Sequence, residues 1–331
     1  MKKGLRVFSL FSGGLDSLVA TFLMKNLGYT VVPIFFETPF YNREKPLKYA
    51  LKNGLKLKII DFTNEFLQIL KNPKYGFGKY LNPCIDCHAK MFSIAFSMVK
   101  NEKVDFLISG EVLCQRNMSQ RRDSLNAVSK LSGVSDYIVR PLSQKLLIDT
   151  LPIREGWVKK DDMLSISGRS RKQQIKLAKD FGIKAFPSSS GGCLLTEKQY
   201  SKKVNDLISY NQLNLLSVKM LNYGRHFRLS DKAKLILGRN DIENRNLWEI
   251  AKKTDIIILQ LKRVAGPTGF LLQKEKKNKQ DLKLAGDILT TFCKKLNSNF
   301  GEVLVKQFGK PDFTIITEKL SQIEEYRINR R

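Results

Sequence analysis

Ser12-Gly13-Gly14-Leu15-Asp16-Ser17 sits between an apolar run at 5–11 and the apolar stretch Leu18-Val19-Ala20-Thr21-Phe22-Leu23-Met24. A strand that ends in paired glycines and hydroxyls and then turns into a helix is suited to holding phosphate. Glycine lets the backbone pass close to an anion, successive N–H groups form a concave nest, and the helix start adds the positive end of its dipole. The expected ligand is a nucleotide. A Walker A loop is excluded, because Leu15 and Asp16 stand where that motif needs lysine followed by serine or threonine. A plain strand-turn-helix with serine capping is the blander reading, and the joint agreement of hexamer, position and flanks weighs against it.

Apolar runs at 5–11, 31–36, 57–60, 104–109 and 137–139 predict strands, and helix-period segments at 15–26, 46–53, 65–71 and 87–100 lie between them. This βαβ alternation predicts an α/β fold, a mostly parallel sheet with helices on both faces, whose ligands bind beyond the carboxyl ends of the strands. The glycine turn lies at such an end. Past 139 the pattern loosens into a helix over 172–181, a serine-glycine loop at 187–193 and a helix over 198–209 that leads out of the first domain. Strand-like runs at 256–261 and 314–317, a helix over 282–296 and a charged hairpin at 274–279 predict a smaller α+β unit. The expected domains are 1–200 and 201–331.

With 331 residues, 42% of them hydrophobic, the chain can bury one large or two medium cores. No apolar run approaches the roughly 20 residues of a membrane-spanning helix. Lys2 and Lys3 ahead of an apolar stretch imitate a signal peptide, yet cleavage there would remove or destroy the glycine turn, so a cytoplasmic location is expected. Lys and Arg number 58 against 31 acidic residues, a formal charge of +27. From residue 197 onward 27 basic and 15 acidic residues leave +12, so both halves are basic. That spread fits a long polyanionic footprint such as RNA better than a single basic tail.

The five cysteines are an odd number with no export signal, which argues against a disulfide framework, and two histidines exclude a histidine-rich metal centre. Asn82-Pro83-Cys84-Ile85-Asp86-Cys87-His88 opens a helix, where two cysteines at this spacing can face one metal or one another. By itself such a pair is half a zinc site, a redox pair or a coincidence. Cys193, in the serine-glycine loop, is the best third partner, and Cys114 and Cys293 read as ordinary buried thiols. Glu111, Gln115 and Arg116 follow the fourth strand and Arg140 the fifth, where a nucleotide and a target base would meet; Arg169, Arg171 and Lys172 start a helix that can grip phosphate. For each the plainer reading is a solvated basic turn or a salt-bridged arginine.

The hexamer resembles the PP-loop signature of the ATP pyrophosphatase superfamily, with its adenine nucleotide α-hydrolase-like sheet, whose members split ATP between the α and β phosphates and leave an adenylated intermediate. With the Asn-Pro-containing cysteine motif after the third strand and Cys193 further on, residues 1–195 resemble the tRNA sulfurtransferases that make 2-thiouridine, 2-thiocytidine or 4-thiouridine. The resemblance implies ATP held by Ser12, Gly13, Gly14, Asp16 and Ser17, Asp16 also on Mg²⁺, and catalytic roles for Asp16, Cys87 and Cys193. It implies either a [4Fe-4S] cluster on Cys84, Cys87 and Cys193 with one iron open to hydrosulfide, or a persulfide pair of Cys87 and Cys193. A structural Zn²⁺ with His88 as fourth ligand is the closed alternative. The implied partners are tRNA and a sulfur donor, a cysteine desulfurase or free sulfide. With the first strand so near the first residue, the THUMP domain of 4-thiouridine synthetases is not expected. Gly224-Arg225-His226-Phe227-Arg228-Leu229 and Gly238-Arg239-Asn240-Asp241-Ile242-Glu243-Asn244 resemble an RNA-binding domain of the NFACT type. The rival readings are a zinc-containing PP-loop ligase that forms amides or nitriles, and a nonenzymatic RNA-binding protein with a degenerate nucleotide loop.

Overall fold

The computed structural model describes residues 4–188, 192–273 and 278–328. The chain divides into two compact units, 1–196 and 197–331, against an expected division at 200/201.

In the N-terminal unit, β1 (Arg6–Leu10), β2 (Thr30–Glu37), β3 (Lys58–Asp61), β4 (Phe106–Ser109) and β5 (Ile138–Val139) form one sheet in the order β3-β2-β1-β4-β5, all parallel. The connections run through α1 (Leu15–Asn26), α2 (Glu44–Lys52), α3 (Thr63–Lys71), α4 (Cys84–Ser97) and α5 (Arg122–Ser132), with the one-turn α6 (Leu151–Arg154) and α7 (Lys172–Asp180) following β5. Strands covered on both faces read as continuous apolar runs. In β1 Ser9 faces α1, its Oγ 2.9 Å from Thr21 Oγ1, so the alternate residues Phe8 and Leu10 face the opposite side. Leu15, Leu18, Val19 and Leu23 of α1 pack with Ile166, Ala178 and Ile183 in one core, while Met24 joins Val7, Phe106, Ile108 and Val139 in another.

The order of strands reverses at β1, with β2 on one side and β4 on the other, and it is beyond the carboxyl ends of β1 and β4 that an open α/β sheet forms its ligand crevice. Two glycines shape that point. Gly13 has φ +72°, and a Cβ there would lie 2.6 Å from Pro46 Cα. At Gly110, just past β4, a Cβ would lie 2.6 Å from Asp16 C and Ser17 N.

The C-terminal unit opens with α8 (Lys198–Ser209) and α9 (Leu215–Met220) and is built on an antiparallel sheet of β6 (Arg225–Ser230), β7 (Ala233–Leu237), β8 (Ile257–Leu261), β9 (Thr268–Gln273), β10 (Phe300–Lys306) and β11 (Phe313–Glu318) in the order β11-β10-β8-β9-β7-β6. Ala285, Ile288 and Leu289 of α11 (Lys279–Phe292) cover one face, and Leu247 and Ala251 of α10 (Asp241–Ala251) with Met220 cover Ile236, Ile258 and Phe270 on the other. Of the expected hairpin at 274–279, Asn278 caps α11 by accepting from the Gln280 and Asp281 amides. Residues 274–277 lie outside the described residues. Cys293 is buried as expected, but Cys114 is exposed, at a turn where its φ is +61°.

Gly110→Ala should force the exit of β4 off the first turn of α1. Overpacking against backbone costs about 1–3 kcal/mol, a fall in Tm of about 2–12 °C for a unit of this size, read by thermal denaturation.

Candidate functional site

The chain leaves β1 at Leu10 and enters α1 at Leu15 through Gly14, whose extended backbone (φ −81°, ψ 163°) leaves the first amides of the helix facing outward. Ser17 Oγ donates to the Gly14 carbonyl at 2.9 Å and lies 3.3 Å from Ser12 Oγ, so the two hydroxyls border the turn. All five predicted nucleotide residues, Ser12, Gly13, Gly14, Asp16 and Ser17, line one cavity of about 240 Å³.

Asp16 is the most constrained of them. Gln115 Nε2 donates to its Oδ2 at 2.6 Å, Gln174 Nε2 in turn donates to Gln115 Oε1 at 2.9 Å, and Arg171 Nη2 stands 3.9 Å from the same Oδ2. Oδ1 is buried and has no hydrogen-bond partner among the described residues. Burial pushes the carboxyl above its ordinary range, against the pull of Gln115, Arg171 and Arg116. Such an orphaned, desolvated carboxylate oxygen is a fitting ligand for a divalent cation.

Cys84, Cys87 and Cys193 line the same cavity. Cys84 and Cys87 stand in the first turn of α4, and Asn82 Nδ2 donates to Cys84 Sγ at 3.2 Å. A helix start favours a thiolate, yet burial pushes the Cys84 thiol up, and burial with Cys84, Cys193 and Asp86 pushes Cys87 further. Three thiols whose charged forms oppose one another in a desolvated pocket suit a cationic iron-sulfur or metal group that would neutralise them. Among the described residues no three His, Cys, Asp or Glu side chains converge closely enough to hold a single metal ion.

The residues expected at the substrate divide into separate groups. Arg116 and Arg171 line the cavity, and Gln115 is buried behind it on Asp16. Arg169 is exposed and donates to Asn117 Oδ1 at 2.8 Å, and Lys172 is exposed at the start of α7. Arg140 is instead buried, its Nε donating to Glu111 Oε2 at 2.8 Å, and it is the salt-bridged arginine of the plainer reading, out of reach of a phosphate. Glu111 lines the cavity but is fully engaged, accepting from Arg140 and Ser109 with His88 Nδ1 2.8 Å from Oε1. Burial alone would raise its carboxyl; Arg140 and His88 overcome that and bring it to about 2.

Sequence reasoning missed Tyr41. Its Oη donates to the Ser12 carbonyl at 2.6 Å, burial pushes its phenol up to about 12, and a Cβ on Gly192 would lie 2.5 Å from its ring. Phe40 O accepts from Leu194 N at 2.9 Å, so the turn 38–41 holds both the glycine turn and the chain around Cys193. Phe36, Phe62, Phe66 and Phe92 supply an apolar wall. No periodicity marks Tyr41, whose role comes only from the folded return of β2 toward the loop.

Because Glu111 is depressed in the folded chain, its stabilising effect is complete above pH 4.5 and is lost as pH falls toward about 2. Glu111→Gln should abolish that part of the acid dependence and cost about 3–5 kcal/mol by leaving Arg140 buried and unpaired, measured by denaturant titration across pH.

Two families match this chain in sequence, the thiamine biosynthesis protein (ThiI) over residues 3–145 and the NFACT protein RNA binding domain over residues 224–327. The tRNA-specific 2-thiouridylase MnmA of Buchnera aphidicola subsp. Schizaphis graminum is 25% identical over 244 residues, 68% of this chain and 63% of that one. The same-named protein of Karelsulcia muelleri is 28% identical over 180 residues, 50% of this chain and 46% of that one. The chain thus spans between about half and just under two thirds of the length of these relatives. A solved structure, the U34-tRNA thiolase NcsA from Methanococcus maripaludis with its [4Fe-4S] cluster, is 19% identical over 66% of this chain and 71% of that one at a TM-score of 0.33, a likeness too loose to carry a conclusion. In sequence the N-terminal unit, whose parallel sheet presents the hexamer, is thus similar to the thiamine biosynthesis protein (ThiI) family and to these 2-thiouridylases.

Proposed function

We propose that this chain is an ATP-dependent tRNA sulfurtransferase that adenylates a pyrimidine carbonyl and replaces its oxygen with sulfur. The observation that carries this reading is the single cavity lined by Ser12, Gly13, Gly14, Asp16 and Ser17 and also by Cys84, Cys87 and Cys193. A pyrimidine carbonyl oxygen is a poor leaving group. Its attack on the α-phosphate of ATP, with pyrophosphate departing, makes it an oxygen of AMP; a sulfur nucleophile then adds at the ring carbon and the carbon–oxygen bond breaks.

In this reading the Gly13 and Gly14 amides and the Ser12 and Ser17 hydroxyls hold the departing pyrophosphate. Asp16 Oδ1 would hold Mg²⁺, which when bound offsets charge on the phosphates. Gln115, backed by Gln174, fixes the other carboxylate oxygen. Arg116 and Arg171, at the cavity, are placed to meet phosphate or substrate. Glu111 and Arg140 act through His88, whose ring they hold at the cavity.

Cys84, Cys87 and Cys193 would hold the [4Fe-4S] cluster, which when bound offers a fourth iron to hydrosulfide. What supports that assignment is that all three thiols line the cavity that presents the glycine turn; the persulfide and zinc readings draw on the same residues and are told apart by the metal content of the protein. The C-terminal unit, matching the NFACT protein RNA binding domain, would grip tRNA, in keeping with its share of the positive charge. Sulfur would come from a cysteine desulfurase or free sulfide. No described helix is long and apolar enough to cross a membrane.

Asp16→Ala should lower tRNA-dependent release of pyrophosphate by about 10²–10³-fold, the scale of removing one well-placed charge-stabilising group. Cys193→Ala should leave pyrophosphate release intact and stop thiolation; thionucleoside still formed by that variant, read by mass spectrometry of digested tRNA, would contradict the assignment. Protein purified without oxygen should carry about four irons per chain with acid-labile sulfide, whereas zinc alone would favour the ligase reading.

A further inference from the structure

The connection between α3 and α4, residues 72–83, has no regular structure and is long beside the usual 4–6 residues or so of a connecting loop. It interleaves aromatics with lysines: Lys74, Tyr75, Phe77, Lys79 and Tyr80. Tyr75 is 39% and Phe77 36% exposed, Lys74 and Lys79 are exposed, and Lys79 Nζ stands 5.7 Å from the centre of the Tyr80 ring. Aromatic side chains that merely filled the crossover would be buried.

The backbone beneath them is tied to the cysteine helix. Asp86, buried between Cys84 and Cys87, accepts from the Lys74 amide at 2.7 Å and the Tyr75 amide at 3.1 Å. Gly78 N donates to the Asn82 carbonyl at 3.0 Å, and a Cβ on Gly78 would lie 2.5 Å from Asn82 Nδ2, the atom that donates to Cys84 Sγ. Asn82 and Pro83 line the cavity. The backbone of the loop is thus bonded to the start of the cysteine helix, and its end lines the cavity, while Lys74, Tyr75, Phe77 and Lys79 stay exposed.

Resting on the sulfurtransferase reading, we propose that this loop is a stacking platform for unpaired RNA, where Tyr75 and Phe77 receive the bases flanking the target nucleotide and Lys74 and Lys79 meet their phosphates. Aromatic rings stack on any base, and each such stack changes affinity by about 5- to 150-fold when truncated to alanine. Double-stranded RNA keeps its base faces inside the helix and offers no such contact. Continuity with the cavity and the positive charge between the rings point to single-stranded RNA rather than to a protein partner.

The test uses the full chain, a fluorescein-labelled oligouridylate and an RNA duplex of equal length at fixed salt, with ATP affinity as the check on the cavity. The double variant Tyr75→Ala, Phe77→Ala should bind the oligouridylate at least about tenfold more weakly, with duplex and ATP affinities unchanged. Tyr75→Leu, Phe77→Leu, which keeps apolar bulk without π faces, should be as weak as the alanine pair. Lys74→Gln and Lys79→Gln should each lower the salt slope by about 0.7. Unchanged oligouridylate binding in the alanine pair, recovery in the leucine pair, equal loss of duplex binding, or no oligouridylate binding by the parent chain would overturn the proposal. Binding is read apart from sulfur transfer, so RNA held by the loop with no thionucleoside formed would count against the catalytic reading and leave the platform standing.

Discussion

At the carboxyl ends of β1 and β4 two stretches of backbone come so close that neither admits a side chain. Gly13 turns left-handed against Pro46, and Gly110 lies on the peptide between Asp16 and Ser17. Because the chain can pass there only as glycine, the first turn of α1 is set at the switch point of the sheet with its amides outward and Asp16 turned into the protein. The cavity, its phosphate-binding character and the position of α4 beside it all follow from that crossing.

What the crossing creates is a pocket of incomplete electrostatics. Asp16 keeps one buried oxygen without a partner, and Cys84 and Cys87 are thiols that burial holds away from charge. Glu111, which lines the same cavity, is the opposite case: Arg140, His88 and Ser109 satisfy it and its carboxyl stays ionised. In the C-terminal unit Asp206 is likewise engaged by Arg228 and the fully buried Lys234. The distinction between a residue that holds the fold and one prepared for a ligand lies in whether its partners are already complete. Asp16 and the cysteines are on the unfinished side of that line.

The parallel sheet was legible because strands buried on both faces leave uninterrupted apolar runs, as in Phe106-Leu107-Ile108. The antiparallel strands β6, β7, β9 and β10 were not. Lys234, the second residue of β7, has no exposure at all, its charge answered by Asp206 far away in sequence, and a lysine there breaks the pattern any reader would seek. Arg140 shows the same limit at the site: an arginine after a strand looks alike whether it faces a phosphate or a buried glutamate. The hexamer and the cysteine spacing could be read because their chemistry is local. Tyr41 and Gln174 could not, since their function is to touch Ser12 and Gln115 across long separations.

In the proposed reaction one pyrimidine oxygen leaves on AMP while sulfur takes its place. Unmodified tRNA carrying ¹⁸O at its pyrimidine carbonyls, incubated with the chain, ATP, Mg²⁺ and sulfide, tests this by mass spectrometry of both products. The account predicts thionucleoside and ¹⁸O-bearing AMP in equal amounts. AMP free of the label, or ADP in its place, would contradict it.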